Sequence, residues 1–146
     1  MTVHRGQRWS AAKAYLYPAL KRSNCNLINA LALKIITEDG CAKGVEVSHK
    51  GAVKTIIANK EVILAASSIN SPKLLMLSGI GPAAHLKKHG INVIADRPGV
   101  GKNLQDHLEV YMQMAASQPV SLFKYWNFGG KAYVGARWLL TKTGPG

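Results

Sequence analysis

The stretch EVILAASSINSPKLLMLSGIG, residues 61–81, contains the signals that decide the fold. Its first part, Glu61–Ala66, is apolar without alternation, which is typical of a strand covered on both faces. Ser71 is a good helix N-cap, Pro72 is a good first helical residue, and Gly79 is a good C-terminal stop. We therefore predict a buried strand that ends at Ala66, followed by a helix between Pro72 and Gly79.

A buried strand that leads into a helix N-terminus can form an anion site. Free backbone N–H groups and the positive end of the helix dipole both point toward that turn. Turns of this kind commonly hold dinucleotide phosphates in doubly wound folds. The residues themselves leave a second interpretation open, which is an ordinary strand-to-helix connection without a ligand.

The rest of the chain alternates between short strands and short helices. The Asp39-Gly40 pair is a hairpin signal, so it predicts an antiparallel meander. The predicted strands are Asn26–Thr37, Val45–Ser48, Val53–Ala58, Asn92–Ala95 and Leu108–Ala116. The predicted helices are Ser10–Arg22, a short one that opens at Pro82 and ends at Gly90, and Ala132–Leu140. The pattern indicates a mixed α and β class.

Composition limits the possible functions without selecting one. The chain has 146 residues, 47% of them hydrophobic and 18% charged, which excludes disorder as the main state. The net charge is +12, and all seven acidic residues lie between Glu38 and Glu109. A basic balance fits nucleic acid, an anionic membrane surface, or a segment of a larger and better balanced protein.

No membrane-spanning or targeting segment is predicted. The longest apolar run, Val62–Ala66, is far shorter than the roughly 20 residues that a membrane helix needs. The N-terminal stretch MTVHRGQRWS lacks the apolar core of a secretory signal. We therefore expect a cytoplasmic protein, or one bound peripherally to the cytoplasmic face of the membrane.

Residues 67–81, SSINSPKLLMLSGIG, resemble the second signature of the glucose–methanol–choline oxidoreductases, which are FAD-dependent alcohol oxidases and dehydrogenases. The resemblance continues through RWSAAKAYLYPAL at 8–20, EVILAA at 61–66 and PGVGKNLQDHLE at 98–109. It implies an α/β fold in which residues 1–106 form part of a doubly wound FAD-binding domain with an antiparallel β-meander. Residues 107–146 are then the start of a substrate-binding domain.

The resemblance also implies four cofactor-binding positions. In the family, the strand end that corresponds to Ala65, Ala66 and Ser67 approaches the flavin. Family members usually carry glycine at the position of Ser67, and glycine permits a close backbone approach and unusual φ angles. Ala32 falls where the family usually has valine, with its backbone facing the adenine.

The segment NLQDHLE, residues 103–109, concentrates polar groups. Asp106 beside His107 can orient the imidazole, or it can satisfy backbone groups in a loop. In choline-oxidising members of the family, the carboxylate at the position of Glu109 lies by the trimethylammonium group of the substrate. A quaternary ammonium donates no hydrogen bond, so carboxylates and aromatic faces recognise it. The resemblance therefore implies that His107 and Glu109 bind substrate, with Glu109 next to the choline cation.

Two elements of the family's reaction machinery do not occur in this sequence. It contains no GxGxxG loop for the FAD pyrophosphate, and no histidine follows His107, whereas the family's catalytic base is a histidine near the C-terminus. We therefore expect no catalytic residue in this chain. The resemblance implies the middle of a longer enzyme, and the 146 residues alone are expected to be inactive.

The resemblance implies that the longer enzyme oxidises choline to betaine aldehyde, in glycine betaine synthesis, and passes electrons to a membrane acceptor. A family member that acts on another primary alcohol is the alternative, and Glu109 discriminates between the two. Binding of nucleic acid has only the charge in its favour, so we expect none. No metal site is expected either, because His85 and His89 have the spacing of ligands on a helix but no third ligand.

Overall fold

The structure is a computed structural model that describes residues 3–118 and 120–144. Its seven strands are β1 (Val3–His4), β2 (Gln7–Arg8), β3 (Leu31–Glu38), β4 (Cys41–His49), β5 (Ala52–Ile57), β6 (Ile80–Gly81) and β7 (Ala95–Asp96), among the residues so described. The α-helices are α1 (Tyr17–Ala19), α2 (Ser67–Leu77), α3 (Ala83–Lys88) and α4 (Phe128–Thr141). A π-helical turn spans Ala12–Leu16, and a 3₁₀ turn spans Leu122–Tyr125.

The chain divides into two structural units. The central unit is Ile28–Leu108, and the terminal unit combines Met1–Leu27 with Glu109–Gly146. The expected domain boundary between residues 106 and 107 stays a prediction. The mixed α and β class is confirmed, because helices and an antiparallel sheet occur together in the central unit.

The central unit is built on the antiparallel sheet β3-β4-β5. The turn between β3 and β4 places Asp39 and Gly40 at φ 49° and 74°, as the hairpin signal in the sequence requires. Lys50 and Gly51, at φ 52° and 80°, form the turn between β4 and β5. The predicted meander is therefore confirmed, with β3 starting later than expected, at Leu31.

A β-bulge interrupts the alternation of β3. Ala32 pairs with Val47 and Lys34 pairs with Glu46, so Leu33 is an extra residue between two consecutive partners on β4. Ala32 consequently shares the face of buried Val47, while Lys34 lies on the opposite face, where its Nζ is 3.6 Å from the carboxylate of Glu46.

Helix α2 is fixed to β3 through the side chain of Ser78. The hydroxyl accepts a hydrogen bond from the backbone N–H of Ile35, 2.8 Å away, and donates one to the carbonyl of Leu74 at 2.6 Å. Ser78 is only 4% exposed, and Ile35 and Leu74 are both 8% exposed. The bridge therefore satisfies a buried strand N–H while it holds the C-terminal turn of the helix on the sheet.

The start of α2 differs from the sequence prediction. The helix begins at Ser67, four residues before the expected N-cap Ser71. From inside the helix, the Ser71 hydroxyl accepts a hydrogen bond from the N–H of Ala66 at 3.0 Å, so it caps the N-terminus from behind. Pro72 lies within the helix, where it has no N–H to donate to the carbonyl of Ser68.

Two predicted strands are wrong, and a third, predicted at Asn92–Ala95, is displaced to Ala95–Asp96. Within the described residues, Glu61–Ala66 and Leu108–Ala116 belong to no strand. A strand exists only when a neighbour accepts and donates its ladder hydrogen bonds, and apolar residues alone do not supply that neighbour. The predicted helix Ser10–Arg22 forms over most of its length, because the π-helical turn runs directly into α1, but it ends early, at Ala19.

A small parallel pair completes the central unit. Strand β6 pairs with β7, and α3 lies between them along the chain. Leu86 of α3 is fully buried. The Asp96 carboxylate accepts a hydrogen bond from the N–H of Ala83 at 3.0 Å, which satisfies a free donor at the start of α3.

In the terminal unit, α4 confirms the predicted helix Ala132–Leu140 and extends beyond it at both ends. Asn127 caps it by accepting a hydrogen bond from the N–H of Gly130 at 2.7 Å. Lys142 ends the helix with φ 55° in the left-handed region. Strands β1 and β2 form a two-stranded antiparallel hairpin in the same unit.

We expect Gly79→Ala to destabilise the central unit far more than Gly90→Ala. Both glycines have positive φ, 81° and 68°, but a Cβ at Gly79 lies 2.5 Å from the carbonyl oxygen of Asn92. A Cβ at Gly90 meets nothing within 4 Å. Gly90→Ala therefore carries only the backbone strain of about 1–2 kcal/mol, and Gly79→Ala adds a backbone clash. Urea unfolding of both variants measures the difference, and equal losses contradict the assignment.

Candidate functional site

A cavity of about 270 Å³ lies in the central unit between β3 and one side of α2. Its lining is mostly aliphatic, with one amide and one ammonium group: Leu31, Ala32, Ala66, Asn70, Lys73, Leu74 and Leu77. Two of the four predicted cofactor positions, Ala32 and Ala66, therefore line one cavity although they are far apart in the sequence. Ala65 and Ser67 flank Ala66 along the chain and are both exposed.

Two local features place these alanines. The bulge at Leu33 leaves Ala32 on the same face of β3 as buried Ile35, whose N–H donates a hydrogen bond to the Ser78 hydroxyl. Ala66 is the N-cap residue of α2, and its N–H is held by Ser71. Small side chains at both positions leave the space between strand and helix open.

Lys73 provides the positive charge of this region. It lines the 270 Å³ cavity and also a second cavity of about 520 Å³, which is formed by α2 and the loop Gly101–Gln105. Lys102 lines the larger cavity as well, and no acidic residue lines either one among the residues described. The charge of both cavities suits an anionic ligand.

Sequence reasoning missed the helical wall of the smaller cavity. Asn70, Leu74 and Leu77 follow one another at the i, i+4, i+7 spacing of one helix face, and Lys73 lies beside them. The spacing was present in the sequence. With Ser71 as the predicted N-cap, however, Asn70 falls outside the predicted helix.

Ser67 adopts a backbone conformation that glycine accepts more readily. Its φ is 74°, within the left-handed region that side chains with a Cβ rarely enter. The turn therefore keeps its shape at the cost of local strain.

The predicted substrate residues fall on either side of the division between the units. In the central unit, the Asp106 carboxylate accepts a hydrogen bond from the backbone N–H of His107 at 2.8 Å. Of the two open roles for Asp106, the structure thus shows the one in which it satisfies a loop backbone group. In the terminal unit, exposed Glu109 accepts a hydrogen bond from the Tyr111 hydroxyl at 2.5 Å. That hydrogen bond, followed by partial desolvation, raises the pKa of Tyr111 above its ordinary value.

Residues 3–118 and 120–144 contain neither a metal site nor a membrane-spanning helix. No group of three or more His, Cys, Asp or Glu side chains in that range is arranged to hold a metal ion. No helix there has both the length and the apolar character needed to cross a bilayer.

Comparison with known families assigns the chain to one of them. The profile of the family described as GMC oxidoreductase matches residues 1–109, which is most of the chain and includes both alanines of the cavity. The chain belongs to the GMC oxidoreductase family. The resemblance that residues 67–81 indicated is therefore confirmed, and the central unit is part of that family's N-terminal domain.

Two similar curated proteins share one name. Proteins called "oxygen-dependent choline dehydrogenase" are 61% identical over 145 residues in Brucella ovis and 57% identical over 145 residues in Rhizobium meliloti. The match covers 99% of this chain and 26% of each relative, so the chain spans about a quarter of their length.

Solved structures of the family share the fold. A formate oxidase matches 98% of this chain with a TM-score of 0.76 and 30% identity, over 25% of its own length. An FAD-dependent oxidoreductase from Chaetomium thermophilum matches 79% of the chain with a TM-score of 0.70 and 34% identity, over 21% of its length. The expectation of a partial FAD-binding domain of this family is thereby confirmed.

We expect Ser67→Gly to stabilise the protein slightly. Glycine removes about 1–3 kcal/mol of left-handed strain and adds about 0.5–1 kcal/mol of unfolded-state entropy, so a gain of about 1 kcal/mol remains. Asp39→Gly is the matched control, because aspartate at φ 49° in a hairpin turn tolerates that region better than serine. Urea unfolding compares the two, and a loss of stability in Ser67→Gly contradicts the assigned strain.

Proposed function

We propose that this chain supplies part of the FAD-binding domain, and the start of the substrate side, of a longer enzyme that oxidises choline to betaine aldehyde. One observation carries the cofactor half of the proposal. Ala32 of β3 and Ala66 at the start of α2, two positions that the family resemblance assigns to FAD, line the same cavity. The names of the relatives at 57–62% identity support the choline half.

The residues present fit part of an FAD molecule. The aliphatic side chains of Leu31, Leu74 and Leu77 offer flat apolar contact, and Asn70 adds an amide that can pair with a heteroaromatic edge. The ammonium group of Lys73 suits the negative charge of a diphosphate. When bound, FAD supplies an acceptor for the hydride of the alcohol carbon.

We assign the remaining cofactor contacts to the turn before α2. Ala65, Ala66 and Ser67 present backbone at the beginning of the helix, and Ser67 holds the left-handed conformation that a close backbone approach uses. The chain contributes no group to the removal of the alcohol proton in this proposal. Its part is to bind and orient the cofactor and to recognise the substrate cation.

On the substrate side, we assign the choline cation to Glu109. Its carboxylate is exposed, and it is the only acidic side chain of the terminal unit, because all seven acids lie between Glu38 and Glu109. A carboxylate attracts a quaternary ammonium without needing a hydrogen-bond donor. A neutral primary alcohol gains nothing from this charge. His107 stays a prediction as a second substrate contact.

We also propose that the enzyme contacts the membrane peripherally and passes its electrons to a membrane acceptor. The net charge of +12 favours a peripheral contact with an anionic membrane face, where a membrane acceptor would be reached. The relatives are named oxygen-dependent, so a test of acceptors compares oxygen with a quinone. Absence of nucleic-acid binding stays a prediction.

We expect Ala32→Leu to lower the FAD content of the full-length enzyme. The added side chain occupies part of the 270 Å³ cavity, so FAD affinity should fall about tenfold or more, which corresponds to about 1.4 kcal/mol. Ala52→Leu, at the exposed start of β5, is the matched control and should leave flavin bound. Flavin absorbance per protein measures the effect. Full flavin content in Ala32→Leu would show that FAD does not occupy this cavity.

We expect Glu109→Gln to raise the KM for choline about tenfold or more while flavin content stays normal. An opposite charge about 4 Å away contributes roughly 1–4 kcal/mol, depending on how much water remains. The KM for the neutral alcohol in which carbon replaces the ammonium nitrogen should change little. Glu38→Gln, at the exposed end of β3, is the control. An unchanged choline KM in Glu109→Gln favours a member that acts on another primary alcohol.

A further inference from the structure

We propose that Tyr111 is a positioning residue for the carboxylate of Glu109, so that the two side chains together form the recognition element for a quaternary ammonium cation. This inference rests on the proposed role of Glu109. It adds a residue to which neither the family resemblance nor the comparisons assign a function.

The geometry joins the two side chains directly. The Tyr111 hydroxyl donates to Oε2 of Glu109 at 2.5 Å, a length typical of a hydrogen bond between a hydroxyl and a charged carboxylate. The residues are two apart in a segment without helix or strand, so regular structure does not hold either side chain in place. The hydrogen bond is therefore what restricts the rotation of the carboxylate.

Fixing Oε2 leaves the second carboxylate oxygen for the ligand. An unrestrained glutamate loses side-chain freedom when a cation binds, and that loss weakens binding. The bond to Tyr111 restricts the carboxylate before the ligand arrives. Because tyrosine is neutral below its pKa, which Glu109 raises further, it orients the carboxylate without cancelling its negative charge.

The ring of Tyr111 is also available. Several aromatic rings of the terminal unit already face a lysine ammonium, with Lys131 4.3 Å from the ring centre of Trp126 and Lys142 4.2 Å from that of Trp138. No such cation faces Tyr111 among the residues described, and its side chain is 84% exposed. A ligand cation held by Glu109 therefore finds an adjacent free aromatic face.

The test uses Tyr111→Phe in the flavin-loaded full-length enzyme, because it removes the hydroxyl and keeps the ring. The readout is the ratio of choline KM to the KM of the neutral alcohol in which carbon replaces the ammonium nitrogen. We expect that ratio to rise roughly three- to tenfold, with kcat changed less than about twofold, as loss of one hydrogen bond predicts. Tyr15→Phe, the same change at another exposed tyrosine of this unit, should leave the ratio unchanged.

A double-mutant cycle shows whether Tyr111 acts through Glu109. In the Glu109→Gln background, Tyr111→Phe should produce little further change in the KM ratio, because the charged acceptor is already gone. Independent, additive effects overturn the positioning role. The positioning role is also overturned if Tyr111→Phe leaves the ratio unchanged while Glu109→Gln still raises it. If Glu109→Gln leaves the ratio unchanged as well, the proposed function itself fails, so the two failures are distinguishable.

Discussion

The hydroxyl of Ser78 is the contact on which the central unit depends. It accepts from the buried N–H of Ile35 and donates to the carbonyl of Leu74, so one oxygen joins the meander to helix α2. Burying a strand N–H without an acceptor costs about 1–3 kcal/mol, so the N–H of Ile35 can be buried only because Ser78 accepts its hydrogen bond. The cavity that Ala32 and Ala66 line lies beside this contact, and Leu74 belongs to both.

Much of this arrangement could be predicted from the sequence. Asp39-Gly40 predicts its turn because few residue pairs accept two positive φ angles, and Gly79 predicts the end of α2 for a similar reason. The start of α2 could not be predicted in the same way. Ser71 has the chemistry of a cap, but a hydroxyl can satisfy a helix N-terminus from the cap or from inside the first turns, and only three-dimensional geometry decides which.

The candidate site also contains residues that the sequence predicts and residues that only the structure shows. Ala32 and Ala66 follow from the family resemblance, whereas Asn70 joins the helix face of Leu74 and Leu77 only when the helix is known to begin at Ser67. Tyr111 has no signal of its own, because a tyrosine two residues after a glutamate is ordinary in a strand. Its hydrogen bond to Glu109 is a fact of conformation, formed in a segment that the apolar pattern assigned wrongly to a strand.

The bulge at Leu33 has a consequence for how this strand can change in length. Leu33 has no partner of its own in the β3–β4 register, so Ala32, Lys34 and Ile35 face consecutive partners Val47, Glu46 and Val45. Loss of this one residue would remove the bulge, and Ala32 and Ile35 would keep their common face. A deletion elsewhere in a regular strand would reverse every side chain beyond it. The cavity wall on β3 would therefore survive the loss of Leu33.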